Sequence, residues 1–123
     1  MSNIEQSLKE MVAIDGAIGA AIVDYGSGMA LGVMGNTKAL DLQIAAAGNT
    51  EVVRAKMRTM EQLSLNDTIE DILITLSRQY HVIRPISRRG GQGLFMYVAL
   101  DRDRANLALA RHHLKRIEEN AEI

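Results

Sequence analysis

The sequence has no cysteine, no tryptophan and one proline, and its aromatic rings are limited to Tyr25, Tyr80, Phe95 and Tyr97 besides the histidines. Without cysteine there is no disulfide framework and no thiolate metal site. So few aromatics leave no platform on which bases of single-stranded nucleic acid stack. Neither sign of charge prevails: 14 Lys and Arg face 15 Asp and Glu, for a net charge of −1. A chain balanced in this way exerts no global pull on nucleic acid. No apolar run approaches the roughly 18 residues that a membrane span requires. The start of the sequence lacks the basic segment and apolar core of a signal peptide. Together these absences fit a cytoplasmic protein that neither binds nucleic acid nor inserts into a membrane.

What is present is ordinary for a globular protein. Hydrophobic residues make up 47% and charged residues 24%, which excludes a disordered chain. A length of 123 residues suffices for one domain with a core and not for two, so residues 1–123 are read as a single domain. Seven methionines are many for this length. Methionine fills irregular cores and also suits adaptable protein-binding surfaces.

Hydrophobic periodicity divides the chain into eight elements. Ile4, Leu8, Met11 and Val12 share a helical face, so residues 2–13 read as an amphipathic helix. The stretch GAIGAAIVDY (16–25) reads as a buried strand, YGSG (25–28) as a turn, and MALGVM (29–34) as the second arm of a hairpin. Gly19, Ala20 and Ala21 leave little side chain on either face of the first strand, so helices can pack closely on both sides. A long helix spans roughly 38–63. Strands follow at 68–77 and 81–87, joined by a turn near Arg78–Tyr80, and then RRGGQG (88–93) and a strand at 94–101. A final helix over roughly 103–120 carries Leu107, Ala110, Leu114 and Ile117 as its apolar stripe, with Asp101 or Asp103 as its cap. Pro85 cannot donate to a sheet ladder, so it belongs near a strand end or at a bulge. The order α-β-β-α-β-β-β-α implies an α+β fold, an α/β sandwich with a five-stranded, largely antiparallel sheet and helices on its faces.

The long helix poses a question. Its middle reads AAAGNT (45–50), weak helix formers placed where a helix needs strong ones. Either Gly48 ends one helix and Asn49 caps the next, or one continuous helix tolerates Gly48 because something approaches it closely. In an unbroken helix, Leu42, Ala46, Val53, Met57 and Met60 form a bulky stripe. Ile44, Gly48, Val52 and Ala55 form a second stripe of smaller residues. Together they cover roughly 220°, more than the ~100° that one core-facing contact uses. We read the helix as continuous, with its bulky stripe on its own sheet and its small stripe against the same helix of a second subunit. Gly48 costs about 1 kcal/mol relative to Ala in a helix interior, and close helix approach offsets that cost. The strand TIEDILITLS gives the same reading. Ile72, Ile74 and Leu76 alternate with Leu73 and Thr75, so both faces are apolar or β-branched, and neither lysine nor proline blocks edge pairing. Pairing with its own copy would satisfy that edge.

A catalytic constellation is not found. Adjacent helical residues His112 and His113 diverge by about 100°, so they do not share a metal, and no ligand motif accompanies them or His81. RRGGQG lacks phosphate-loop spacing and joins strand to strand, which favours a solvent loop. Glu70 and Asp71 are neighbours on a strand and face opposite sides. No dinucleotide fingerprint and no nucleophile elbow occur. No cofactor and no metal are therefore expected. Thr50, Glu51, Arg54, Arg58 and Glu61 form a polar arc on the long helix, either a solvated face or a partner surface.

Three stretches carry a resemblance: IDGAIGAAIVDYGSGMALG (14–32), AAAGNTEVVRAK (45–56) and GLFMYVALDRDRANLALARHHLKRIEE (93–119). With the element order, they resemble the Roadblock/dynein light chain family over nearly the whole chain. The resemblance implies a sheet between one long helix and the two terminal helices. It implies homodimers in which the third strand pairs with its mate and the long helices lie side by side. On this sequence the dimer contacts would be Ile44, Gly48, Val52, Ala55, Ile72, Ile74 and Leu76. Bacterial members often sit beside Ras-like small GTPases and bind or regulate them, and the gliding-motility member activates its GTPase through its dimer. Other members are scaffolds in dynein or membrane-signalling complexes. The resemblance therefore implies a non-enzymatic homodimeric adaptor that binds a small GTPase through Thr50, Glu51, Arg54, Arg58 and Glu61. The alternative is a structural subunit that pairs with another Roadblock-like chain. A small-molecule sensor is a third reading, which would need a pocket with convergent polar groups.

Overall fold

The computed structural model describes residues 3–86 and 93–123. Its elements run α1 (Ile4–Val12), β1 (Ala17–Asp24), β2 (Met29–Gly35), α2 (Leu42–Gln62), β3 (Ile72–Thr75), β4 (Gln79–Pro85), β5 (Leu94–Asp101) and α3 (Leu107–Asn120). The five strands form one sheet in the order β2-β1-β5-β4-β3, and every neighbouring pair is antiparallel. The sheet lies between α2 on one face and α1 with α3 on the other.

Side-chain alternation along the inner strands builds these two layers. Ala20 and Ile22 of β1, with Met96, Val98 and Leu100 of β5, meet Leu8 and Met11 of α1 and Ala110, Leu114 and Ile117 of α3. Ala21 and Val23, with Phe95, Tyr97 and Ala99, meet Leu42, Ala46 and Val53 of α2. The small residues of β1 allow the close approach expected from the sequence. A Cβ added to Gly19 would lie 3.2 Å from Leu42 Cδ2. At the far end of the hairpin Gly35 adopts φ +120°, and a Cβ there would lie 2.6 Å from both Gly19 Cα and the Ile18 carbonyl oxygen.

Helix α2 runs unbroken through Gly48. It begins later than the periodicity suggests, at Leu42 rather than near 38, because the Asp41 side chain caps it by accepting from the Gln43 and Ile44 amides at 3.0 and 3.1 Å. Helix α3 also begins later than expected. Asp101 and Asp103 do not cap it. The Asp101 carboxylate accepts from the Asp103 amide at 3.0 Å within a turn, and Asn106 is the cap, accepting from the Leu109 amide at 3.0 Å.

The third strand departs most from its reading. It is confined to Ile72–Thr75, so Leu76 lies beyond it. Residues 63–71 are needed to carry the chain from the end of α2 back to the sheet. Asp71 is held at the mouth of the strand by two bonds from Arg111, at 2.8 and 2.9 Å. The Leu76 amide donates to the Gln79 carbonyl at 2.8 Å, so the turn precedes Gln79 and β4 starts earlier than residue 81. Pro85 ends β4. The Ile86 amide points to β5, where it bonds Leu94 at 2.9 Å. By alternation, the missing Pro85 N–H points to the β3 side, where pairing has already stopped at Ile72 opposite Ile83. Of the segment 88–93, only Gly93 falls within the described residues.

Candidate protein-interaction surface

Each turn of α2 contributes to one of three surfaces. Leu42, Ala46 and Val53 are buried on the sheet, with Met57 and Met60 half-buried further along. These are the five residues of the bulky stripe. Three residues of the small stripe face away from the core, with Ile44 70% exposed and Gly48 and Ala55 exposed, whereas Val52 is half-buried and packs against the core beneath α2. A Cβ at Gly48 would meet no atom within 4 Å. Among the described residues nothing accounts for the glycine or for an isoleucine held in water.

The polar arc needs one correction. Thr50 belongs to the sheet-facing side, 3% exposed, with its hydroxyl donating to the Ala46 carbonyl at 2.7 Å. Placed four residues after Ala46, it shares Ala46's face, and its methyl is small enough to sit above Gly28. Its side chain is therefore covered within the chain and is not presented on the polar arc. Glu51, Arg54, Arg58 and Glu61 are exposed, and among the described residues none of the four forms an ion pair.

The sheet has two edges, and they are not equivalent. In β2, Ile22 pairs with Gly32 but Val23 pairs with Ala30, so Leu31 is bulged out of the ladder. Bulges blunt an edge against further pairing. On β3 the register runs without a break from Ile72 to Thr75 against β4, and among the described residues no strand lies beside its outer side. Ile72 and Ile74 are half-buried toward the α2 layer, while Leu73 on the other face and Leu76 past the strand end are 37% and 42% exposed. Between α2 and this edge lies an open groove of about 680 Å³ whose lining includes Val52, Lys56, Met60, Ile69 and Ile72. Of the seven residues read as dimer contacts, six thus lie on α2 or β3, and Leu76 lies in the turn that follows.

A polar cluster beneath α2 escaped the sequence reading. Tyr97 of β5 shares a hydrogen bond with His81 Nδ1 of β4 at 3.2 Å, the rings standing edge to face at 5.4 Å. His81 Nε2 meets Gln79 Oε1 at 2.7 Å. Burial pushes the Tyr97 hydroxyl up to about 12, opposed in part by the Asn49 side chain, and burial lowers the His81 imidazole. Its sequence signal was present: His81 and Tyr97 occupy inner-strand positions that alternation assigns to the α2 face.

Among the described residues no group of three or more His, Asp or Glu side chains is placed to hold a metal ion. No helix there is long and apolar enough to cross a membrane.

Neither protein-family models nor curated protein sequences match this chain. Solved structures do. MglB of Myxococcus xanthus superposes with a TM-score of 0.80 at 16% identity, over 94% of this chain and 89% of that one. A Roadblock/LC7 domain from Streptomyces avermitilis gives 0.78 at 12% identity, over 96% and 93%. A structure described as MglB with tetrameric arrangement gives 0.76 at 18% identity, over 94% and 82%. The chain thus has the Roadblock/LC7 fold, as the three stretches quoted above imply.

Proposed function

We propose that this chain is a homodimeric Roadblock-type adaptor that binds a Ras-like small GTPase and modulates its GTP hydrolysis without supplying catalytic groups of its own. The observation that carries this reading is the outer face of α2. Ile44 is 70% exposed in line with Gly48 and Ala55, a small-residue stripe that none of the described residues covers. A second copy related by a two-fold axis would cover that stripe and continue the sheet across the two β3 edges. Similarity to MglB and to a Roadblock/LC7 domain supports the same reading. Once two copies pair, Glu51, Arg54, Arg58 and Glu61 of both helices form one charged platform, suited to a partner with acidic switch regions.

A tagged chain is exposed to native lysate with GDP or with a non-hydrolysable GTP analogue. Retention of a small GTPase in one nucleotide state supports the adaptor reading. Recovery of another Roadblock-like chain, with no GTPase in either state, transfers the assignment to a structural subunit. That second reading draws on the same uncharged β3 edge, which accepts any strand of like pattern.

A further inference from the structure

We propose that Arg111 of α3 is the positioning residue of the β3 edge. By holding Asp71 against α3 it fixes where the strand starts, and it adds Asp71 to the backbone that the edge offers to a second copy of this chain. The part that concerns a second copy rests on the homodimer reading; the part that concerns the strand start does not.

Hydrogen-bond alternation defines what the edge offers. The Leu76 amide donates to the Gln79 carbonyl, and the register with β4 then runs unbroken from Thr75 opposite Tyr80 to Ile72 opposite Ile83. In an antiparallel ladder every second residue bonds to the neighbouring strand. Ile74 and Ile72 therefore turn their backbone groups to β4, while Leu73 and Thr75 turn theirs outward. Asp71 is next in the outward series. With it the edge presents three residues, and a two-fold pairing centred on Leu73 sets Asp71 of each copy against Thr75 of the other.

Strand β4 does not hold Asp71 in place. Pairing stops at Ile72. The residue that the register would set opposite Asp71 is Arg84, whose guanidinium is engaged by Glu118 at 2.6 Å. Arg111 takes that part from α3 through a fork, Nε to Oδ2 at 2.8 Å and Nη2 to Oδ1 at 2.9 Å. A two-bonded guanidinium fixes the plane of the carboxylate as well as its position. Helix α3 is itself anchored by Ala110, Leu114 and Ile117 in the core, so it stays docked without Arg111.

Unequal burial makes the fork matter to the strand. The Asp71 side chain is 10% exposed and that of Arg111 is 48% exposed. Without the guanidinium, water replaces Arg111 easily, but the carboxylate is left uncompensated where little water reaches it. Such a charge is costly to keep buried. Asp71 escapes by turning into solvent, and Ile72, its chain neighbour, is drawn off β4 with it.

The test joins amide exchange to sedimentation equilibrium. In Arg111→Ala the Ile72 amide is expected to exchange about tenfold faster or more, while Val98, at the buried centre of the sheet, keeps its native rate. Arg111→Lys, which keeps the charge and loses the fork, recovers part of the protection. Asp71→Asn added to Arg111→Ala also recovers part of it, because a neutral amide has no charge to take into water. A loss of packing at Arg111 would not be repaired in that way. The dimer dissociation constant in Arg111→Ala rises by about tenfold or more. Lys115→Ala, at an exposed cation one turn further along α3, leaves both readings unchanged.

An unchanged Ile72 rate in Arg111→Ala overturns the proposal, as does an equal acceleration at Val98 or a failure of Asp71→Asn to restore protection. A frayed Ile72 with an unchanged dissociation constant overturns the pairing of Asp71 with a second copy. A native chain that sediments as a monomer contradicts the homodimer reading and that pairing together, and the exchange rates still decide the strand start.

Discussion

Arg84 Nε lies 2.6 Å from Glu118 Oε1, joining β4 to α3 through an ion pair whose side chains are 12% and 6% exposed. A pair stripped of water in this way is costly to break, because the remaining charge stays buried. Glu118→Ala is expected to lower the unfolding free energy by about 3–5 kcal/mol, read from urea denaturation. Arg84→Met combined with Glu118→Leu is expected to recover most of the loss, since an apolar pair incurs no charge desolvation. A loss below about 1 kcal/mol in the single variant would show that the pair behaves as an exposed one.

Stability also depends on pH through His81. Burial holds its pKa below the ordinary 6.5, so the unfolded chain takes up this proton before the folded chain does. The His81 contribution is complete above about pH 6.5 and declines as pH falls toward the folded-state value. The melting temperature should drop between pH 7.5 and pH 5.5, and the drop should shrink in His81→Gln. Equal drops in the two proteins would remove His81 from the account.

How far the sequence reached can be judged from α2. Its continuity through Gly48, its bulky sheet-facing stripe and the order of elements along the chain followed from period and pattern. Thr50 did not: hydroxyl character assigned it to the polar arc, whereas its position relative to Ala46 puts it on the sheet. The length of β3 was missed because Thr68 and Ile69 are strand formers next to ILIT, and the strand-poor pair Glu70 and Asp71 between them was not read as its boundary. The Asp101–Asp103 turn imitated a helix cap because both motifs use a carboxylate that accepts from a nearby amide. The His81–Tyr97 contact joins two separate strands, and no local spacing connects them.

The charged platform is tested by reversing its cations. Arg54 and Arg58 are exposed and unpaired among the described residues, so Arg54→Glu with Arg58→Glu is expected to leave folding and solution mass unchanged. Capture of the GTPase should fall by about tenfold or more, equivalent to about 1.4 kcal/mol. Undiminished capture would place the partner elsewhere.

A substitution at Gly48 tests folding and the proposed association separately. Space around its Cβ is open within the chain, and a leucine is a better helix former than a glycine. Gly48→Leu should therefore fold at least as stably as the native chain when dilute. Across two closely packed helices the same side chain collides, so the dimer dissociation constant should rise by about tenfold or more. An unchanged constant would show that Gly48 is not at the contact.

The most direct measurement is the mass of the native chain in solution by sedimentation equilibrium at micromolar concentration. The proposed homodimer has about twice the mass of the 13.5 kDa chain. A single species at 13.5 kDa, persisting as concentration rises, would contradict it.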